Sequence, residues 1–499
     1  MKRIQSLRFN RRQLALLISL LVVFISIGVY AILRSQAASI TFTFPTSRDK
    51  YQWPLSRYSP ANIPIGKGAQ YDPANINAGR YARVTPDHDI IYYNPNAPIQ
   101  DVYYNGASWN QGSSRCPAQG GVQYRAKLPN DFYIPGNLVD GGQHGGSPNH
   151  SSSVLDENNK VVEWQPLTHC PGQPYVNQFP WDNGPLGRYD LNADYFYGSH
   201  GGSGVSGAGL ALKVGEFMPG KPPFHAIGLE LFANWDYSCS GGCSRWPASA
   251  ADEYSHSGYT GSNPKIKPGT LLALRKGQSD SLNLMSEPGK MMAWVLENYG
   301  AYIVDDAGWE VIQIPIEYSP DGDFTEQFKQ TWGLDFGGEM TNDWHRDMQT
   351  MLGALNVVDN NAPNTRGGGG DPLMCYAPPF QDGTPDGVTA NPNGNVREPA
   401  DCNNPDGGTA NPTPTPQPTT TPTPTTTPTP TTGPTPTGIA QYDVNNDKKI
   451  DINDLAVLIR DYPRPGQPVI TNSPADFDKN GRVDVIDLSK MISNWGRTY

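Results

Sequence analysis

The chain has 499 residues, of which 17% are charged, and it carries a formal net charge of −11. Its 53 glycines and 48 prolines leave room for one large domain with small appendages. An acidic balance without a basic stripe excludes nucleic acid and anionic membrane surfaces as expected partners.

The N-terminal segment, residues 1–38, predicts export. Leu14–Leu33 is an uncharged apolar run that is long enough to cross a bilayer as a helix. Basic residues precede this run and favour a cytoplasmic N-terminus: Lys2, Arg3, Arg8, Arg11 and Arg12. Ser35–Ala37 is typical of a signal-peptide cleavage site, so a signal anchor, which is slightly favoured, and a cleaved signal peptide both stay open. The protein is expected outside the cell, secreted or anchored by this segment, which is its only predicted membrane contact.

An even number of cysteines in an exported chain predicts three disulfides. The six cysteines are Cys116, Cys170, Cys239, Cys243, Cys375 and Cys402. We expect Cys239 and Cys243 to close a short loop and Cys375 and Cys402 to join two parts of an irregular tail, although six cysteines allow 15 pairings. Zinc binding by Cys239 and Cys243 is the alternative, but no second close pair of ligands accompanies them.

The main domain, residues 39–373, begins with short β-prone runs bounded by turn residues. These runs are Ile90–Tyr93, Val122–Ala126, Ser153–Leu155 and Val161–Trp164. The pattern predicts a mixed, β-rich fold, like a β-sandwich or barrel with long loops and a few helices, rather than a repeating βαβ fold.

Two helices are predicted in the second half of this domain. Apolar residues at helical spacing indicate one over Pro288–Tyr299 and another over Thr341–Leu355, with Thr341 as the N-cap. Three acidic residues along the second segment follow a four-residue spacing and are read as a solvated face: Glu339, Asp343 and Asp347.

Two glycine motifs suggest chemistry that the rest of the sequence does not support. Gly202, Gly204 and Gly207 spell G-x-G-x-x-G, but no apolar strand leads into the motif, so a plain glycine loop is favoured over dinucleotide binding. His144 and His200 each precede Gly-Gly-Ser, as in the oxyanion loop of esterases. The sequence has no G-x-S-x-G motif, and serine esterase chemistry is therefore disfavoured.

The candidate catalytic residues lie on predicted strands. In His225–Phe232, alternation places Glu230 on a face made bare by small neighbours, as in the floor of a substrate groove. His225 starts the opposite face, where a hydrogen-bonded core histidine is the more common role. The strand Ala301–Val304 delivers Asp305 and Asp306 to its end, where one carboxyl of a pair can act as acid and the other as base. A solvated turn is the alternative there.

Scattered aromatic residues in loop-rich segments suit the flat faces of sugars, although burial in a core is the alternative. Four motifs of the main domain resemble those of a set of bacterial secreted proteins without an assigned activity. These motifs are GSGVSGAGL at 202–210, the His225-Ala strand, ENYGAYIVDD at 297–306, and the segment at 342–370. The resemblance supplies no catalytic residue.

Beyond residue 373 the hydrophobic pattern is lost. Residues 374–410 form an irregular tail that contains the last two cysteines, and residues 411–437 alternate Pro and Thr. Such a linker stays extended as polyproline II and separates two modules. It resembles the linkers of modular polysaccharide-degrading enzymes.

One twelve-residue pattern is written twice near the C-terminus, with oxygen-bearing side chains at positions 1, 3, 5, 9 and 12 and a backbone carbonyl at position 7. Its members are Asp443, Asn445, Asp447, Lys449, Asp451 and Asp454, and then Asp476, Asp478, Asn480, Arg482, Asp484 and Asp487. This is the spacing of a calcium-binding loop. A segment with an apolar helical stripe follows each copy.

The duplicated pattern, with Asp at position 12, resembles a type I dockerin over residues 438–499. The resemblance implies a small all-α, EF-hand-like module with two calcium ions and a cohesin-bearing scaffold protein as partner. Lys448 stands at position 6, where Gly would relieve a positive φ, and this predicts a weaker first site. The partner-choosing positions are Ile452, Asn453, Val485 and Ile486, which leave the identity of the cohesin open.

The sequence thus favours an exported, modular, carbohydrate-active protein whose main domain hydrolyses polysaccharide. Its candidate catalytic residues are Glu230, Asp305, Asp306 and His225. The alternative is a non-catalytic carbohydrate-binding or cell-surface assembly module. A peptidase is less favoured because the sequence contains no H-E-x-x-H motif.

Overall fold

The computed structural model describes residues 42–107, 113–136, 149–180, 188–194, 197–200 and 202–405, and separate positions between 442 and 491. The chain divides into two compact units, Met1–Pro412 and Thr413–Tyr499. Within the described residues no helix is long and apolar enough to cross a membrane. The predicted membrane segment at 14–33 and the cleavage site lie outside these ranges.

The first unit is rich in short strands. They are β1 (Tyr71–Pro73), β2 (Arg83–Tyr92), β3 (Ile99–Tyr104), β4 (Val122–Lys127), β5 (Ser152–Leu155), β6 (Val161–Gln165), β7 (Thr168–His169), β8 (Tyr175–Asn177), β9 (Phe179–Pro180), β10 (Tyr197–His200), β11 (Ile227–Leu231), β12 (Leu271–Ala273), β13 (Ala301–Asp306), β14 (Ile312–Ser319), β15 (Gly322–Asp323), β16 (Gly338–Glu339) and β17 (Asn356–Val358). The β-rich class predicted from the sequence is confirmed.

Most of these strands form one large mixed sheet. Its order is β1-β17-β12-β13-β11-β14-β2-β5-β6-β9, with β15 added to β14 and β16 added to β2. In its centre β11 runs parallel to β13, and β14 runs parallel to β2, while β11 and β14 are antiparallel. Such central strands are covered on both faces, which accounts for their nearly continuous burial.

The helices are α1 (Ala233–Asp236), α2 (Ser255–Gly258), α3 (Glu287–Asn298), α4 (Phe324–Trp332) and α5 (Asp343–Ala354). The last three pack on one face of the large sheet, where Val295 and Trp344 join Leu229 and Ile303 in a single core. Ser286 caps α3 by accepting a hydrogen bond from the Gly289 N–H at 3.0 Å. Both helices predicted from apolar periodicity, α3 and α5, are therefore confirmed.

Two details of α5 differ from the sequence prediction. Its N-cap is Asn342, which accepts a hydrogen bond from the His345 N–H at 2.8 Å, whereas Thr341 bonds to the Glu339 carbonyl. Asp347 is buried rather than solvated, because it accepts hydrogen bonds from the Met285 and Ser286 backbone N–H groups at the start of α3. Glu339 lies in β16, not on the helix. The predicted solvation is thus wrong for Asp347, whereas Glu339 is exposed as predicted although it lies outside the helix.

A second, smaller sheet has the order β4-β3-β8-β7. Val102 and Tyr124 of this sheet share a core with Tyr92, Val154 and Trp164 of the large one. The Tyr124 and Trp164 rings stack with 4.2 Å between their centroids. Two sheets therefore meet face to face at this end of the unit, while the sandwich- or barrel-like form of the whole domain stays a prediction.

Three disulfides join all six cysteines: Cys116–Cys170, Cys239–Cys243 and Cys375–Cys402. The expected short loop and tail pairings are present. The tail also packs on the main domain, because Met374 and Cys375 belong to the core on the second face of the large sheet.

Candidate functional site

Polar side chains converge on that second face of the large sheet, opposite the helices. Alternation along β11 directs Leu229 toward the helices, as the sequence predicts, and leaves Glu230 on the other face. A bulge between Leu229 and Glu230 shifts the register, so that Glu230 pairs with Asp305 on β13. Because the two strands are parallel neighbours, the two carboxyl groups lie side by side.

Three further residues complete what we call the acidic cluster. Asp87 and Asp89 come from β2, and His200 ends β10, so the cluster consists of Asp87, Asp89, His200, Glu230 and Asp305. His200 Nε2 lies 2.8 Å from Asp89 Oδ2, and His200 Nδ1 lies 3.9 Å from Glu230 Oε1. Every member is buried, with Glu230 at 0% and Asp305 at 6% exposure.

Burial perturbs the ionisation of this cluster. It raises the pKa of Glu230 well above its usual value, and the neighbouring Asp87 carboxyl adds to the effect. Burial and the charge of Asp252 raise the pKa of Asp305 to about 8. Burial alone would lower the pKa of His200, but the Asp89 carboxylate outweighs it and raises that pKa to about 9. The cluster therefore requires protons or another positive charge to balance its carboxylates.

The segment that carries His200 is held by a single buried carboxylate. Glu163 on β6 accepts hydrogen bonds from the Ser199 N–H at 2.9 Å, the Gly207 N–H at 3.2 Å, and the Tyr189 and Ser206 hydroxyls. A Cβ at Gly207 would lie 3.2 Å from Asp89 Oδ2, so glycine permits the close approach of this segment to the cluster. The glycine motif at 202–207 thus serves backbone packing, as the sequence reading favours.

The cluster borders less buried residues beside Asp305. There the Asp305 carboxyl accepts hydrogen bonds from the Gly202 N–H at 3.2 Å and from the Asn149 side chain at 3.5 Å. Asp306 is half-buried, and the Tyr254 hydroxyl donates to its carboxyl. The Tyr254 side chain is 47% exposed, which provides an aromatic surface at this edge.

The structure brings together some of the predicted catalytic residues and separates another. Glu230 and Asp305 are neighbours, and Asp306 borders them. His225 lies in a different buried group, where its Nε2 is 3.2 Å from Glu216 Oε2 and its Nδ1 is 2.7 Å from the Ala226 carbonyl oxygen. These contacts are those of a hydrogen-bonded core histidine.

Sequence reasoning missed Asp87 and Asp89, and it noted His200 only for the Gly-Gly-Ser motif that follows it. The predicted strand began at Ile90, whereas β2 begins at Arg83 and includes Pro86. The signal that could have identified Asp87 and Asp89 was the presence of two aspartates at alternate positions of one strand.

Among the described residues, Asp87, Asp89 and His200 also place one metal-ligating atom each within 4.8 Å of one another. Cys239, Cys243 and His256 lie comparably close, but both sulfurs are in a disulfide and are not thiolate ligands.

In the second unit, the two calcium-loop copies show matching hydrogen bonds. The position-12 carboxylates of Asp454 and Asp487, both fully buried, accept bonds from the Val444 N–H at 2.6 Å and the Phe477 N–H at 2.7 Å. Both donors stand at position 2 of their loops. Lys449 and Asp476 are the other predicted ligands within the described residues, and the rest lie outside them.

A small apolar core supports these loops and contains Leu458, Ala475, Val483 and Met491. Residues 441–494 match the model of the "Dockerin type I domain" family. This part of the chain is a type I dockerin. The dockerin implies a modular extracellular or cell-surface protein with a cohesin partner, and calcium is the ion that such domains bind. Within it, Lys448 has a φ of 68°, the left-handed conformation expected at position 6.

No curated protein and no solved structure matches the chain. The resemblance of the main domain to secreted bacterial proteins therefore has no support beyond its motifs.

Proposed function

We propose that the main domain is a glycoside hydrolase that acts on polysaccharide and is held on a cohesin-bearing scaffold by the dockerin. The observation that carries this proposal is the side-by-side placement of the Glu230 and Asp305 carboxyls within the acidic cluster. Paired carboxyl groups in unlike surroundings supply the acid and the base for cleavage of a glycosidic bond.

Asp305 is the member placed to meet a substrate. It lies near the end of β13 and is the cluster carboxyl next to half-buried Asp306, which exposed Tyr254 contacts. An aromatic ring at the edge of a carboxyl site can stack on the apolar face of a sugar. In this proposal Asp305 donates a proton to the glycosidic oxygen of the leaving group, and the Asp306 carboxyl positions Tyr254.

The finer features of the dockerin belong to the same proposal. Each loop binds one calcium ion through its side-chain oxygens and the position-7 carbonyl, and the two loop-helix units form an EF-hand-like pair. The matching hydrogen bonds of Asp454 and Asp487 support the same backbone arrangement in both loops. The shared core of the two sheets supports a sandwich-like arrangement in the main domain.

The test is product release by the full-length protein from a broad panel of polysaccharides, measured as reducing ends and as unsaturated products. We expect reducing ends from at least one substrate and a loss of roughly 100-fold or more in rate for Asp305→Asn, as for removal of a general acid. Asp343→Asn is the matched control, because Asp343 is an exposed carboxylate on α5. No product from any substrate, or equal rates for both variants, would refute the proposal.

The complete burial of Glu230 favours one alternative, a non-catalytic carbohydrate-binding or cell-surface assembly module. That alternative predicts retardation on a polysaccharide affinity gel without turnover. It also predicts equal retardation of the wild type and Asp305→Asn.

A further inference from the structure

We infer that the acidic cluster is a binding site for one divalent cation of the Mn²⁺ or Zn²⁺ type, held by His200 Nδ1 and the carboxylates of Asp87 and Glu230. This site is separate from the calcium loops of the dockerin. The inference uses residues of the proposed catalytic cluster, but it does not depend on a carbohydrate substrate.

The first argument is the orientation of His200. Its Nε2 lies 2.8 Å from Asp89 Oδ2, and a hydrogen bond there leaves the lone pair of Nδ1 directed away from Asp89. A metal-ligating histidine in proteins usually makes such a bond to a carboxylate through its other ring nitrogen. Among the described residues, Nδ1 has no hydrogen-bond partner, although the side chain is fully buried.

The second argument is Glu230. Its side chain has 0% exposure, and within the described part of the chain neither carboxylate oxygen accepts a hydrogen bond from an N–H or hydroxyl group. A buried carboxylate in that state is costly unless a positive charge compensates it. Glu230 also interacts directly with the Asp87 carboxyl, and two carboxyls in contact need a proton or a cation between them.

The distances suit a cation. Glu230 Oε1 and His200 Nδ1 are 3.9 Å apart, which is too far for a hydrogen bond. Two ligands that are each about 2.1 Å from one ion lie roughly 3 to 4 Å apart. The ligating atoms of Asp87, Asp89 and His200 also lie within 4.8 Å of one another. His200 therefore lies near carboxylate oxygens of both Glu230 and Asp87, the two other proposed ligands.

Further oxygen atoms border the same place. Gln313 on β14 pairs with Glu230, and Thr85 on β2 pairs with Gln313. Gln313 Oε1 and Thr85 Oγ1 are both buried without a hydrogen-bond partner in the described residues. One imidazole with several oxygen donors suits Mn²⁺ or Zn²⁺ better than Ca²⁺, which prefers oxygen ligands alone.

The test is calorimetric titration of the full-length protein with Mn²⁺ and with Zn²⁺, in excess Ca²⁺ so that the dockerin loops are filled. We expect one equivalent to bind to the wild type, and affinity to fall by roughly 100-fold or more in His200→Gln and in Glu230→Gln. His225→Gln is the matched control, because His225 is an equally buried histidine that contacts Glu216 instead. It should bind the metal as the wild type does.

Thermal unfolding is the second measurement, and it also shows whether each variant is folded. Added Mn²⁺ or Zn²⁺ should raise the melting temperature of the wild type and of His225→Gln, but not that of Glu230→Gln. No binding by the wild type, or equal binding by all the variants, would overturn the site.

The two proposals can fail separately. A protein that binds the cation but releases no sugar keeps this inference and refutes the proposed hydrolase, whereas sugar release without cation binding does the reverse. Cation binding at Glu230 would remove Glu230 as the base of the proposed hydrolysis and would leave Asp305 as its acid.

Discussion

At the scale of single residues, some buried charged side chains of the main domain stabilise the fold and lie outside the acidic cluster. Asp347 is one of them. Its carboxylate accepts hydrogen bonds from the N–H groups of Met285 and Ser286 and from the Ser286 hydroxyl, and thereby joins α5 to the start of α3. Four-residue spacing on a helix could not reveal this role, because the partners come from a loop 61 residues earlier in the chain.

We expect Asp347→Ala to lower the free energy of unfolding of the main domain by about 2 to 3 kcal/mol, since it leaves buried N–H groups without an acceptor. Asp343→Ala, one turn away on the exposed side of α5, should cost less than about 1 kcal/mol. Urea denaturation monitored by tryptophan fluorescence measures both values. Equal costs would show that Asp347 has no special role.

Glu317 is a second buried charge with a measurable consequence. Burial raises its pKa to about 7, although the Ser319 hydroxyl and the Val214 N–H stabilise the charged form. The folded protein therefore binds a proton at Glu317 more tightly than the unfolded chain does. The stabilisation that comes from protonated Glu317 is fully present below pH 4.5, the usual pKa of a glutamate. It is lost as the pH rises through 7, the raised pKa.

Wild type should accordingly lose, between pH 4.5 and 8, about 3 kcal/mol more stability than Glu317→Gln, whose amide does not titrate. The measurement is the unfolding free energy of the main-domain transition as a function of pH, at constant calcium. Parallel pH profiles for the two proteins would contradict the raised pKa.

At the scale of elements, the periodicity of the sequence predicted the features that depend on a single segment, such as strand alternation. It did not predict contacts between residues of two different segments. The strand containing Glu230 has the predicted alternation, since Leu229 and Leu231 face the helices. The partnership of Glu230 with Asp305 depends on a bulge between two strands, and no pattern within either strand encodes it. His200 likewise belongs to a segment that is hydrogen-bonded to Glu163 on another strand.

The first calcium loop shows how a single position affects a whole element. Lys448 adopts a φ of 68°, a conformation that costs a residue with a Cβ on the order of 1 kcal/mol relative to glycine. If the strain is relieved, Lys448→Gly should bind calcium in the first loop about fivefold more tightly, as measured by calorimetry. Lys448→Ala is the control, because it removes the same charge but keeps the Cβ that strains the backbone. An equal gain in both variants would assign the effect to charge instead of backbone strain.

At the scale of the whole molecule, the sequence was most informative where it repeats itself. The dockerin could be predicted because six ligand positions recur in register in two copies, and the family match at 441–494 confirms it. The main domain offered no repeat, and its cluster is assembled from β2, β10, β11 and β13, which are separated by long stretches of chain. Their convergence is a property of the sheet order and could not be read along the sequence.

The two units are expected to work independently, because a Pro-Thr linker separates them in the sequence. The double variant Asp454→Ala/Asp487→Ala removes the carboxylates that bond to the position-2 N–H groups of both loops. It should bind a cognate type I cohesin at least 100-fold more weakly, yet keep its activity on a soluble polysaccharide. Asp305→Asn should show the opposite pattern, with full cohesin binding and no product release. Cohesin binding is measured by surface plasmon resonance with and without calcium, and product release is measured on the same protein samples. A loss of both properties in either variant would mean that the units depend on each other.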